Sequence, residues 1–135
     1  MSAAPVVLDS HALLAFLRGE PGEEIVARLL EKAGETEIPL HMTEVNYAEV
    51  KYQIIRKHGT DRWAEISREL PTLPIEFHAA TRLLADAAAD YKARFKMSLA
   101  DAFAAALAKE KKAELVTGDP EFKPLAKEIK IHWLK

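Results

Sequence analysis

The strongest constraint on this chain is an alternation: short apolar runs, each too brief for a helix, hand on to segments with helical spacing. "PVVLD" (5–9) is a β-branched run that reads as a first strand, with Asp9 at its carboxyl edge. "SHALLAFLRG" follows with apolar residues at helical spacing, Ser10 as an N-cap and Gly19 as its stop. "EPGEEIVARLLEKAGE" is a second helix that Gly34 is expected to end, and "TEIPLHM" (36–42) is a weaker strand, since Pro39 suits a strand start or an edge. Thr43 is placed to cap "EVNYAEVKYQIIRKHG", which Gly59 terminates, and "TDRWAEISREL" continues as another helix. "IEF" is a candidate third strand, "HAATRLLADAAADYKARFK" a long alanine-rich helix, 98–112 a further helix, 114–118 a strand, and "IKIHWL" the last strand. Strands alternating with helices predict right-handed βαβ crossovers and a parallel sheet of about five strands covered on both faces, an α/β fold in one domain over residues 1–135.

Composition narrows the functional classes. With 135 residues the chain is long enough to bury a core without covalent staples, and an apolar fraction of 49% beside 30% charged residues is ordinary for a globular protein. There is no cysteine, which excludes disulfides and thiolate metal sites and makes a reducing compartment the default. "MSAAPVVLDS" lacks the basic and long apolar regions of a secretory leader, and no apolar run reaches membrane-spanning length; a cytoplasmic protein is expected. A net charge of −2 does not advertise a nucleic-acid binder, but carboxylates that hold metal ions count as negative in that sum and not once loaded.

In an open parallel sheet, ligands bind beyond the carboxyl ends of the strands. Asp9 and Asp119 both fall at that edge, after "PVVL" and "ELVTG". Helix 98–112 travels about 20 Å away and strand 114–119 returns about 17–20 Å, so Asp101 at the helix start comes back to the same edge as Asp119. Glu49, in the second turn of the helix after strand two, leans towards that edge. Glu44 in the first turn competes with it, although the helix dipole alone accounts for a first-turn acid. Converging carboxylates repel one another, and the usual resolution is a hard divalent cation with oxygen ligands, Mg²⁺ or Mn²⁺, able to activate water and stabilise charge on a phosphodiester. The chain has no Gly-rich phosphate loop, no G-x-S-x-G elbow and no His-x-x-x-His zinc pattern, and His41, His58, His78 and His132 show no clustered spacing.

Each acid also has a structural reading of its own. Asp101 fits the third helical position of a cap started by Ser98, Asp119 is an ordinary turn residue before proline, and Asp9 is placed to cap a helix. What favours the metal reading is that all of them pass the same edge test.

The stretches "VVLDSHALLAFL", "MTEVNYAEVKY", "MSLADAFAAALAKEKKAELVTGDPEF" and "IKIHWL", taken in order along nearly the whole chain, resemble a PIN-domain protein, most closely the VapC-type toxins of toxin–antitoxin pairs. The resemblance implies a three-layer α/β/α fold and a metal-dependent endoribonuclease, with the family's acidic residues falling on Asp9, Glu49, Asp101 and Asp119. "VNYAE" matches the family's glutamate motif and selects Glu49 over Glu44. Ser10 and Thr117 match positions where relatives place small hydroxyl residues near the metal, while His11 departs from the usual small or polar residue. Asp90, on the long helix, is a further candidate for lining the site. The resemblance also implies an RNA substrate, inhibited translation, a cognate antitoxin and a homodimer. Arg18, Arg56, Lys57, Lys92 and Arg94 are candidates for phosphate contacts beside their plainer reading as solvated helix residues. Two alternatives stand beside the nuclease: a PIN fold that binds RNA or protein without cutting, and a metal-dependent phosphatase or receiver-like domain. The second wants a D-x-D pair where "LDSHA" carries His11.

Overall fold

A computed structural model describes residues 4–134. Part of the stretch read for a leader, residues 1–3, lies outside the described residues, as does residue 135. The elements run β1 (Val6–Leu8), α1 (Ser10–Arg18), α2 (Glu23–Thr36), β2 (Leu40–Thr43), α3 (Glu44–Glu69), β3 (Ile75–His78), α4 (Arg82–Arg94), α5 (Leu99–Lys111), β4 (Glu114–Thr117) and β5 (Ile131–Trp133), with short 3₁₀ turns at Leu70–Thr72 and Pro120–Leu125. All five strands pair in parallel, in the order β3-β2-β1-β4-β5.

Strand alternation divides the core into two layers around the sheet. Val7 and Leu115 point to one face, where they pack with Ala102, Phe103 and Leu107 of α5 and with Leu84, Ala88 and Tyr91 of α4. Leu8 and Val116 point to the other, against Ala12 and Ala15 of α1 and Val26 and Leu30 of α2; Met42 joins Val50 and Ile54 of α3 there. The alanine-rich centre of α5 is buried from Asp101 through Ala108, because small side chains let that helix lie close to the sheet on one side and to α4 on the other.

Several boundaries differ from the sequence expectation. Gly34 does not end α2: the helix continues to Thr36, whose hydroxyl donates to Lys32 O at 2.9 Å, and Glu37 takes the left-handed conformation (φ 60°) that closes it. β2 begins only after Pro39, which stands outside the ladder it could not donate to. Gly59 does interrupt the helical path, with φ 88° and ψ 167°, so that α3 is two helical stretches joined at a bend. β3 extends through His78, paired with Thr43, and this delays α4 until Thr81 can cap it. The same pairing brings together two histidines whose sequence spacing showed no cluster: His41 Nδ1 and His78 Nε2 lie 2.9 Å from each other. The 3₁₀ turn after Asp119 was not anticipated; it is anchored by Phe122, which is fully buried.

Candidate functional site

The register Leu8↔Val116 sets the carboxyl ends of β1 and β4 side by side at the middle of the sheet, so Asp9 and Thr117 meet although far apart in sequence. Asp9 is fully buried. Its Oδ1 accepts the Ala12 amide at 2.8 Å as the N-cap of α1, and its Oδ2 accepts the Thr117 hydroxyl. That hydroxyl in turn accepts the Asp119 amide at 2.9 Å, and Asp119 Oδ1 accepts the Glu121 amide at 2.9 Å. A continuous chain of hydrogen bonds therefore orders the turn that carries Asp119. Gly118 within it leaves room for the His11 ring, since a Cβ there would stand 2.6 Å from His11 Cε1.

Asn46, buried on the first turn of α3, fixes the other side. Its amide nitrogen donates to Ser10 Oγ at 2.9 Å and to Ala100 O at 3.1 Å, while its Oδ1 accepts the Thr43 hydroxyl. One neutral side chain thereby ties together the starts of α1, α3 and α5, each of which carries or adjoins a predicted site acid. Ser98 caps α5 by accepting the Asp101 amide at 3.0 Å, the local role the sequence also allowed.

The result is a cleft of about 220 Å³ lined by Ser10, His11, Leu14, Arg18, Glu49, Gln53, Ser98, Asp101, Asp119 and Glu121. Glu49 reaches it from the second turn of α3, whereas Glu44 is exposed and lies outside its lining. Tyr52 donates to Glu49 Oε2 at 3.4 Å. Asp9 and Thr117 lie beneath the cleft rather than on its wall. Asp90 does not line it: it is exposed on α4, where its charge acts on Arg94. Asp101, Asp119 and Glu121 offer carboxylate oxygens that all lie within 4.8 Å of one another. Glu121 was missed from the sequence; the signal for it was "DPE", where a proline opening a turn brings the second acid back beside the first.

The electrostatics match this crowding. Burial, reinforced by the charges of Asp119 and Glu49, pushes the Asp9 carboxyl up to about 7 against the pull of its bonds to Thr117 and Ala12. Burial and then the charges of Asp119, Asp9 and Glu49 push Asp101 up to about 8, opposed by Ser98. An all-oxygen donor set whose members suppress one another's ionisation is the chemistry a hard divalent cation relieves, so these residues fit Mg²⁺ or Mn²⁺. The one strong cation at the cleft is Arg18: its side chain is 15% exposed, its Nη2 donates to Glu20 Oε1 at 3.2 Å, and its Nη1 is buried with no hydrogen-bond partner among the described residues. Arg56, by contrast, lies over the Tyr52 ring, and Arg94 pairs with Glu128.

The family model described as "PIN domain" matches residues 6–128. No curated protein matches the sequence. Among solved structures, the chain is similar to DNA-bound VapBC from Salmonella typhimurium (13% identity, TM-score 0.75, covering 98% of this chain and 100% of that one). It is also similar to VapBC2 from Rickettsia felis bound to a promoter DNA fragment (14%, 0.72, 94% and 96%). A third is VapC20 of Mycobacterium tuberculosis, a Sarcin–Ricin loop cleaving toxin (14%, 0.70, 92% and 95%). These likenesses carry the fold: a central five-stranded parallel sheet between layers of helices.

Proposed function

Because the chain belongs to the PIN-domain family, we propose that it is a divalent-metal-dependent endoribonuclease, the toxin of a toxin–antitoxin pair that inhibits translation. The observation that carries this reading is the convergence of Glu49, Asp101 and Asp119 on one small cleft with Asp9 buried beneath it, four segments in all, where burial and mutual repulsion raise two of the carboxyls. A fold that only bound RNA or protein would gain nothing from so costly an arrangement.

Asp101, Asp119 and Glu49 would hold Mg²⁺ or Mn²⁺ at the cleft, with Glu121 beside them, and Asp9 would complete the set from below. Such an ion, when bound, neutralises the carboxylates, lowers the pKa of water and stabilises charge on a phosphoryl oxygen. Thr117 keeps Asp9 oriented and Ser10 keeps the α1 start against Asn46, so the acids are positioned before any ligand arrives. Arg18 is the cation on this wall, and its guanidinium, now turned inward beside Glu20, would have to turn outward to meet a backbone phosphate. Ser98 and Gln53 supply uncharged hydrogen-bonding groups at the rim.

RNA as substrate rests on the motif resemblance and on the similarity to a toxin that cleaves the Sarcin–Ricin loop. An antitoxin partner rests on the similarity to VapBC complexes. A homodimer and a cytoplasmic location belong to the same reading; no helix among the described residues is long and apolar enough to cross a membrane. Incubating the purified chain with total RNA in Mn²⁺ is expected to produce discrete new ends that vanish in EDTA and in Asp101→Asn. Cleavage undiminished in both would refute the metal site. Absence of Mn²⁺ binding in a calorimetric titration, together with absence of cleavage, would favour the binding module.

A further inference from the structure

We propose that His41, Glu76 and His78 form a second metal site, for a borderline divalent cation of the Zn²⁺ class, where β2 meets the edge strand β3 and apart from the acidic cleft. The parallel register pairs His41 with Glu76, and Glu76 and His78, two residues apart on β3, share a face of the sheet. All three side chains therefore project on the same side of two adjacent strands.

Distances fit a single ion. His41 Nδ1 lies 2.9 Å from His78 Nε2, and His78 Nε2 lies 3.7 Å from Glu76 Oε2. One ligand atom from each residue falls within 4.8 Å of the other two. Tetrahedral zinc with bonds of about 2.0–2.1 Å holds its ligand atoms roughly 3.3 Å apart. The two nitrogens need only separate by a few tenths of an ångström while the carboxylate swings in, and Glu76, with 56% of its side chain exposed, is free to do so. Two imidazoles and one carboxylate select zinc over magnesium, and three protein ligands leave a fourth position for water or an incoming group.

The protonation balance is also favourable. A metal needs neutral imidazole, and burial, with Lys111 and His78 acting in the same direction and Glu76 opposing, holds His41 below its ordinary range. Without metal, one ring donates its N–H to the lone pair of the other. On binding, that proton moves to the far nitrogen of its own ring and both facing lone pairs turn to the ion, with no net proton released.

The full chain, stripped of metal, is titrated with Zn²⁺ alone by calorimetry and with Co²⁺ followed by visible absorption. The Asp9→Asn/Asp101→Asn protein, whose acidic cleft is disabled, should still bind one equivalent of Zn²⁺ and give the intense Co²⁺ bands of four-coordinate nitrogen and oxygen ligation. His41→Asn/His78→Asn in that background should lose the equivalent, and Glu76→Gln should weaken it by about 10–100-fold. Failure of the cleft-disabled protein to bind Zn²⁺, or the same affinity after the histidine substitutions, would reduce the pair to a histidine–histidine hydrogen bond and overturn the proposal. Should the histidine variants fail to fold, unchanged Zn²⁺ affinity in the exposed Glu76→Gln variant would overturn it equally. None of these outcomes depends on nuclease activity.

Discussion

In the metal-free protein, replacing Asp9 by Asn should remove a large share of a pH dependence of stability that runs opposite to ordinary acid denaturation. The folded state holds the Asp9 proton with a pKa of about 7, while the unfolded chain releases it near the ordinary carboxylate value of 3.8. Between those values the folded state binds more protons than the unfolded one, so stability from this group is greatest at low pH and falls as pH rises through the window. About three units at 1.36 kcal/mol each give roughly 4 kcal/mol, nearly all of it expended by pH 7. Asp9 is fully buried, so solvent screening does not shrink that figure. Asp101 titrates in the same direction and loses one of its repelling neighbours in the variant, which adds to the effect. Urea unfolding followed by circular dichroism in EDTA, at several pH values from about 4.5 to 7.5, compares the two proteins. The difference wild type minus Asp9→Asn should become more negative by up to about 4 kcal/mol across the series, and saturating Mn²⁺ should restore the wild type selectively. A difference that stays constant with pH to within about 0.5 kcal/mol would refute the claim that Asp9 is buried as a strained carboxyl.

Three further outcomes follow from single side chains and one tight backbone contact. Arg18→Ala should lower kcat/KM for RNA by about 10–100-fold, chiefly through KM, if its unpaired nitrogen meets a phosphate; unchanged steady-state kinetics would remove it from the site. Asn46→Ala should cost about 2–4 kcal/mol in thermal or urea unfolding, because it severs the ties among α1, α3 and α5 and leaves buried groups unpaired; a loss under about 1 kcal/mol would show that packing alone holds those starts together. Gly22→Ala should destabilise by about 2 kcal/mol or more, since its Cβ would meet Leu134 Cβ at 2.9 Å in a backbone with φ of 99°; a neutral effect by calorimetric unfolding would contradict the fixed packing of the C-terminal strand's end against the α1–α2 turn.

Much of the fold was legible because the strands were brief, mostly apolar runs and several helices carried their own start or stop. Gly19, Thr43, Gly59 and Ser98 all act where the sequence put them. Gly34 misled because a glycine signals freedom, not termination, and the helix closed where Thr36 and Glu37 supplied the bonds and the left-handed turn. The convergence of Asp101 and Asp119 followed from opposed lengths of helix and strand. Glu121 escaped the same counting because it sits on a 3₁₀ turn, whose path no periodicity announces. The meeting of His41 with His78 was invisible for a different reason: it depends on which strands become neighbours and in what register, and neither is written in local spacing.

The central place of β1 also governs when the cleft can exist during synthesis. Asp9 is made well before the hydroxyl that orients it, which belongs to Thr117, 108 positions later, and the β4 strand beside it must pair before the cleft closes. Chain elongation proceeds at about 5–20 residues per second, so a nascent chain spends seconds with α1 to α3 made and the acid set incomplete. The acid set is therefore completed only after β4 has left the tunnel and paired with β1.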